Sequence, residues 1–94
     1  MAIVFVPPLL RERAGGLRQI ELEGATVGAL IDSFEARYPG VKARLVDGSR
    51  LMPGTGVVVD GEVQPDGLRA AVAPASEVHF VHAVRGGLPL RRSS

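Results

Sequence analysis

Short apolar runs predict two strands in the first quarter of the chain. Residues 2–6 (AIVFV) are β-branched or aromatic almost throughout and end at a Pro-Pro pair, which stops a strand. Apolar and polar side chains alternate within residues 17–23, which predicts a second strand paired with the first as a hairpin. Residues 9–16 between them are expected to be a polar connection with a turn.

One stretch has the period of an amphipathic helix, with apolar side chains at i, i+3, i+4, i+7 and i+11. The residues of this stripe are Val27, Leu30, Ile31, Phe34 and Tyr38. Thr26 is predicted to cap the helix, because its hydroxyl can accept a hydrogen bond from a first-turn backbone N–H. The Pro-Gly pair at residues 39–40 is expected to end it. Residues 41–46 then predict a short helical turn that places Val41 and Leu45 under the sheet.

The second half of the chain predicts three further strands. Residues 57–59 are valines, and the Asp-Gly pair that follows is typical of a two-residue hairpin turn, so residues 62–64 are the expected returning strand. Residues 77–82 predict the last strand, with Val78 and Phe80 facing the core. Turns or loops are expected at residues 47–49, 65–67 and 70–76.

The predicted element order is β-β-α-β-β-β. A single amphipathic helix must bury its apolar stripe against a sheet, so the fold class is α+β. If the first and last strands pair at the centre, the helix crosses one face of a mixed sheet of four to five strands. That arrangement is the β-grasp, or ubiquitin-like, fold.

Composition narrows the functional class. Ninety-four residues make one small domain, and a formal net charge of +1 with four aromatic residues argues against a nucleic-acid binder. The chain has no cysteine, which excludes disulfides and thiolate metal sites. It has no recognisable signal peptide and no apolar run near the roughly 18 residues of a membrane span, so we expect a cytoplasmic protein without membrane association.

Several segments together resemble the ThiS/MoaD ubiquitin-like sulfur carriers. They lie in order along most of residues 2–87 and include a Gly-Gly pair just after the last predicted strand. The segments are residues 24–30 (GATVGAL), 38–40 (YPG), 57–62 (VVVDGE), 77–78 (EV) and 84–87 (VRGG).

The resemblance implies a protein cosubstrate and no catalyst. In such carriers a ubiquitin-activating-like adenylating enzyme uses ATP to activate the C-terminal glycine, here Gly87, which becomes a thiocarboxylate. That sulfur passes to a biosynthetic enzyme of sulfur amino acid, siderophore, thiamin or molybdopterin type. Gly86 and Gly87 lack Cβ atoms and suit passage through a narrow channel. The carrier is expected to be monomeric when free and to bind no cofactor itself.

Seven residues follow Gly87, and while they remain its carbonyl is an amide that cannot be adenylated. Tailed carriers of this family are matured by a JAMM-type zinc metallopeptidase, which implies a cut between Gly87 and Leu88. We therefore expect a carrier domain at residues 1–87 and a flexible extension at residues 88–94. Cleavage removes two arginines and changes the formal net charge from +1 to −1.

Four residues are candidate contacts to partner enzymes. Val63 and Val81 are predicted to share an apolar patch on the outer face of the sheet, although scattered exposed valines are ordinary. His82 lies near the tail, and Arg85 could pair with a partner's carboxylate or phosphate or could simply be solvated.

Other polar groups favour a structural or surface role. His79 and His82 are three apart in a strand and are expected to face opposite sides, which does not suit a shared metal. Asp32 and Glu35 are interpreted as a solvated helix face and not as an acid–base pair, and Lys42 as a surface lysine. Two other classes stay open: a β-grasp protein-interaction module, and a ubiquitin-like modifier that conjugates to lysines.

Overall fold

The first two strands form an antiparallel hairpin at one edge of the sheet. In the computed structural model, which describes residues 1–82, β1 is Ala2–Phe5 and β2 is Gln19–Leu22. Val4 lies opposite Ile20 in the register, and both are buried. The predicted hairpin is confirmed, with each strand a little shorter than the apolar pattern indicated.

The connection between these strands differs from the prediction. It contains a short helix, α1, at Pro8–Arg11, and it buries Leu10 and Ala14 completely. A proline at the start of a helix costs little, because that position has no intrahelical partner for an N–H. Leu10 and Ala14 are four residues apart, so both face the core. The expectation of a polar connection was therefore wrong, while the expected turn is present at residues 12–16.

The main helix, α2, is Val27–Arg37 and agrees with the predicted stripe. The Thr26 hydroxyl accepts a hydrogen bond from the backbone N–H of Ala29 at 3.2 Å, as expected of an N-cap. The four stripe residues inside the helix are all buried, while Tyr38 is half-buried just beyond it. The helix ends before Pro39, since the residue preceding a proline disfavours the helical conformation.

A short helix and a small hairpin follow. α3 is Lys42–Leu45, and Val41 and Leu45 are fully buried as predicted. β3, Val46–Asp47, pairs antiparallel with β4, Arg50–Leu51, around the predicted turn. Strands of two residues are too short to show an alternating pattern, so the sequence predicted only the turn between them.

The last three strands complete the sheet. β5 is Thr55–Val59, β6 is Glu62–Val63 and β7 is Glu77–His82. The turn residues of the β5–β6 hairpin have φ values of +50° at Asp60 and +85° at Gly61, the left-handed conformations that such turns need. β7 runs parallel to β1 and antiparallel to β5.

The strand order is β2-β1-β7-β5-β6, with the first and last strands paired at the centre. The α2 stripe packs against one face of this five-stranded mixed sheet, and the core lies between them. The predicted α+β β-grasp arrangement is confirmed. Between β6 and β7, residues Gly67–Arg69 form a 3₁₀ turn, and the irregular segment after it buries Ala70 and Val72.

A polar cluster fastens the β5–β6 turn to the start of β7. The Asp60 carboxylate accepts hydrogen bonds from the Ser76 hydroxyl at 2.8 Å and from the Glu77 backbone N–H at 2.9 Å. Ser76 is buried, and its oxygen also accepts from the Ala73 N–H at 3.1 Å. These bonds lower the pKa of Asp60, the backbone N–H of Glu77 having the larger effect.

A second carboxylate closes the loop after α2. Glu35 accepts hydrogen bonds from the backbone N–H of Lys42 at 2.9 Å and of Gly40 at 3.1 Å, which lowers the pKa of Glu35. Asp32 forms an ion pair with the Lys42 ammonium at 2.7 Å. The helix carboxylates are thus partners of the loop, where the sequence had indicated a merely solvated face.

The two lowered pKa values predict a loss of stability in acid. A carboxyl whose folded pKa lies below its unfolded value stabilises the fold above the unfolded pKa, and this contribution disappears as the pH falls through the folded pKa. The ordinary values are 4.5 for Glu35 and 3.8 for Asp60. The urea concentration at the unfolding midpoint should therefore decrease as the pH is lowered from about 6 to about 3. The Glu35→Gln, Asp60→Asn double variant should show a smaller decrease.

The matched control is the Glu21→Gln, Asp47→Asn double variant. It also removes two negative charges, but from carboxylates that accept no hydrogen bond within residues 1–82. Its urea midpoint should follow the wild-type pH dependence. Equal slopes in all three proteins would contradict the role given to the two hydrogen-bonded carboxylates.

Candidate functional site

The face of the sheet opposite α2 is only partly covered. Side chains alternate along a strand, so the residues between the buried positions of β1, β5 and β7 lie on this other face. We call it the open sheet face, and its apolar and aromatic members are Ile3, Phe5, Val58, Val63, His79 and Val81. All six are half-buried or exposed, whereas Val4, Val57 and Val78 on the helix side are fully buried.

An aromatic pair lies at the centre of this face. Phe5 on β1 is in register with His79 on β7, and their rings stack with centroids 4.2 Å apart and an angle of 5° between planes. Val58 of β5 is the partner of His79 on the other side, and Val63 of β6 follows it. One continuous row therefore crosses four strands.

The structure places both predicted patch valines on the open sheet face. Val63 is 73% exposed and Val81 is 48% exposed. Val81 lies opposite Gly56, one row from Val63, and a Cβ added at residue 56 would come within 3.4 Å of a Val81 methyl group. The row that contains Val63 also brings Phe5, His79 and Val58 onto this face, so the patch is wider than the sequence predicted.

The missed members could have been found from strand alternation. Val4 of the first strand faces the core, so its neighbours Ile3 and Phe5 must face the other way. Their placement beside the last strand required only the parallel pairing of β1 with β7 that the predicted fold already contained.

A groove of about 490 Å³ opens on this face where β1 and β7 end. Its floor and walls are formed by strand-end residues, by the Pro-Pro pair and by two arginines. The lining residues are Phe5, Val6, Pro7, Pro8, Arg11, Arg18, Gln19, His79, Phe80 and Val81. Arg11 is half-buried, and its Nε donates a hydrogen bond to the Val6 carbonyl at 3.1 Å.

The described chain ends at the groove side of the sheet. His82 is exposed and is in register with Thr55, at the last position of β7. The predicted contact Arg85, the Gly86-Gly87 pair, the cleavage position at Leu88 and the extension 88–94 all lie outside the described residues. Their roles stay predictions.

The remaining polar candidates do not form a metal site in the part of the chain that is described. No group of three or more His, Cys, Asp or Glu side chains comes together there. His79 stacks on Phe5, while His82 is exposed at the strand end. Among residues 1–82, no helix is long and apolar enough to cross a membrane.

A mixed sheet with parallel central strands and one helix across a single face defines a β-grasp protein of the ubiquitin-like class. The model of the ThiS family matches residues 4–87. The chain belongs to the ThiS family, and the resemblance found in the sequence is confirmed.

Known relatives agree with this assignment. The chain is 36% identical over 89 residues to the sulfur carrier protein CysO of Mycobacterium tuberculosis, covering 89% of this chain and 96% of that protein. A chain in the crystal structure of the Amycolatopsis orientalis BexX/CysO complex superposes with a TM-score of 0.86 at 37% identity, covering 93% of this chain and all of that chain. Small archaeal modifier protein 3 of Haloferax volcanii is 33% identical over 67 residues, or 69% of this chain and 73% of that protein.

Proposed function

We propose that this protein is a sulfur carrier that becomes activated and loaded with sulfur at Gly87. The observation that carries the proposal is the extent of the family match, which ends at residue 87, the second glycine of the Gly-Gly pair. The 36% identity to a sulfur carrier over nearly the whole chain supports it.

The chemistry requires a free carboxylate and two partner activities. A carboxylate oxygen of Gly87 attacks the α-phosphorus of ATP, so that pyrophosphate leaves and an acyl-adenylate forms. Hydrosulfide, released by a sulfur-donating enzyme, then attacks the acyl carbon, so that the bond to AMP breaks, AMP leaves and a terminal thiocarboxylate remains. This chain has no cysteine, so the transferred sulfur resides on the terminal carbonyl carbon and not on a thiol. The adenylating enzyme and the sulfur-accepting enzyme supply the catalytic groups.

The extension makes proteolysis the first step. In the 94-residue chain the Gly87 carbonyl is bonded to the nitrogen of Leu88, and an amide oxygen is a far weaker nucleophile than a carboxylate. We propose that a JAMM-type zinc metallopeptidase hydrolyses this bond. Leu88–Ser94 would leave as a heptapeptide, and the new terminus would be the substrate for adenylation.

The open sheet face is the proposed docking surface for the partner enzymes. It exposes Val63 and Val81, carries the Phe5–His79 stack, and lies beside the strand from which the chain continues to Gly87. His82 and Arg85 are proposed contacts nearer the tail. Apolar area with a polar rim is the usual composition of a protein interface.

Intact mass spectrometry of the protein from its native host tests the proposal. We expect a chain that ends at Gly87 and a fraction in which one terminal oxygen is replaced by sulfur. Thiol-directed alkylation must run in parallel, because oxidation of Met1 or Met52 adds nearly the same mass. A chain that still ends at Ser94, in cells that express the adenylating enzyme and the peptidase, would contradict the proposal.

A second candidate function is conjugation to other proteins. The 33% identity to a small archaeal modifier protein favours it, because a C-terminal acyl-adenylate can also acylate a lysine amine. Lys42 is the only lysine of this chain, and its ammonium is held at 2.7 Å from an Asp32 oxygen. Conjugation would appear in the same experiment as higher-mass adducts joined through Gly87.

A further inference from the structure

We infer that the groove at the ends of β1 and β7 binds an acidic segment of the adenylating enzyme, with Arg11 and Arg18 as its charged contacts. The inference rests on the proposed function, because it assumes that such an enzyme takes up the C-terminus. It adds the chemistry by which this chain selects that partner.

The charge of the groove favours an acidic occupant. Its ten lining residues include two arginines and a histidine but no aspartate or glutamate. Within residues 1–82, neither arginine forms an ion pair. The other arginine-lined grooves differ, because Asp66 accompanies the arginines of one and Glu12 those of another. An uncompensated basic groove attracts carboxylates.

The conformation of Arg11 favours a carboxylate as its partner. Its Nε is already bonded to the Val6 carbonyl, which fixes the guanidinium at the groove and leaves the two terminal NH₂ groups to donate. These two groups can bind one carboxylate through parallel hydrogen bonds. A side chain held in place before binding loses less conformational entropy when the partner arrives.

The position of the groove favours the adenylating enzyme as the protein that occupies it. Gly87 lies five positions beyond His82, which at about 3.5 Å per residue is at most roughly 17 Å of extended chain. An enzyme that holds Gly87 in its active site must therefore place part of its surface close to the end of β7. The groove lies there, beside Val81.

The chain's own C-terminal segment is a poorer occupant. Residues 83–94 contain three arginines and no acidic side chain, so the precursor extension carries the same sign of charge as the groove. Like charges repel, and a desolvated arginine pair without an anion is costly. A partner segment with aspartate or glutamate next to an apolar residue matches both the charge and the apolar walls.

Charge reversal tests the inference. The chain ending at Gly87 is compared as wild type, Arg18→Glu and Arg69→Glu, with pyrophosphate release by the adenylating enzyme of the same organism as the readout. Both variants change the net charge equally, and both arginines are exposed, but Arg69 lines a different groove. We expect Arg18→Glu to lower kcat/KM about 10-fold or more, mainly through KM, and Arg69→Glu to change it less than about twofold.

Ionic strength provides the second readout. The difference between wild type and Arg18→Glu should shrink in about 1 M salt, where screening shortens to about 3 Å. Equal kcat/KM values for the two variants at low salt would overturn the inference while leaving the proposed function intact. Absence of pyrophosphate release from the wild-type chain would overturn the proposed function and the inference together.

Discussion

Ending the chain at Gly87 is expected to turn an inert precursor into a substrate of the adenylating enzyme without any peptidase. The change frees the carboxylate that the chemistry needs. It keeps every residue of the core that the structure describes within residues 1–82, from Ala2 to Phe80. ATP–pyrophosphate exchange measures the effect directly. The truncated chain should give a robust signal, and the 94-residue chain should stay at the enzyme's background.

Two further variants test whether Gly87 itself is the reacting residue. A chain ending at Gly86 lacks the reacting residue but keeps the rest of the tail, and it should give a much weaker signal. The truncated chain with Gly87→Ala should also lose activity, because we expect the added methyl group to obstruct entry into the narrow active-site channel proposed for the adenylating enzyme. Its unfolding free energy should stay unchanged. If the 94-residue chain were adenylated as fast as the truncated one, the extension would not be a block.

If the truncated chain is not adenylated, a different function is indicated. A protein whose activity with every partner is the same with and without Leu88–Ser94 would be a β-grasp interaction module, in which the sheet face binds and the tail has no chemical role. The exchange assay therefore separates the carrier from the module, and the mass spectrum separates the carrier from the modifier.

Elements with a strong local period were predictable from the sequence. The α2 stripe, its Thr26 cap and the β7 alternation depend on spacing along the chain. The structure buries the four stripe residues inside α2, and it buries Val78 and Phe80 of β7. The Asp60-Gly61 turn was predictable for a similar reason, because its left-handed φ values follow from residue type.

Elements that depend on distant contacts were not predictable. α1 is four residues long, and the burial of Leu10 against the core stabilises it more than any signal of its own. The hairpin of β3 and β4 has two residues in each strand. The bond from Ser76 to Asp60 joins residues sixteen apart, and no local pattern indicates it.

Part of the candidate site could likewise be predicted from the sequence, and part of it could not. Val63 and Val81 could be assigned to the outer face by alternation alone, since that rule needs no tertiary information. The groove could not, because Arg11 and Arg18 belong to different elements from His79 and meet it only through the strand order of the sheet. Gly86 and Gly87 were singled out by their place after the last predicted strand, and their roles stay predictions.

Replacing Phe34 with alanine is expected to remove a large share of the folding free energy. Phe34 is fully buried at the centre of the α2 stripe, and Tyr38 packs edge-on against it with ring centroids 6.1 Å apart. A buried Phe→Ala change costs about 3–5 kcal/mol. A domain has about 0.05–0.15 kcal/mol per residue, so this one has roughly 5–14 kcal/mol in total. Urea unfolding followed by far-ultraviolet circular dichroism measures the loss.

Phe5→Ala is the matched control, because it deletes the same atoms from the other side of the sheet. Phe5 is half-buried on the open sheet face, so its removal should cost only about 1–2 kcal/mol. It should nevertheless weaken binding to the adenylating enzyme, while Phe34→Ala, where still folded, should bind normally. Similar stability losses in the two variants would contradict the inference that the helix-facing side of the sheet stabilises the fold while the open sheet face binds partners.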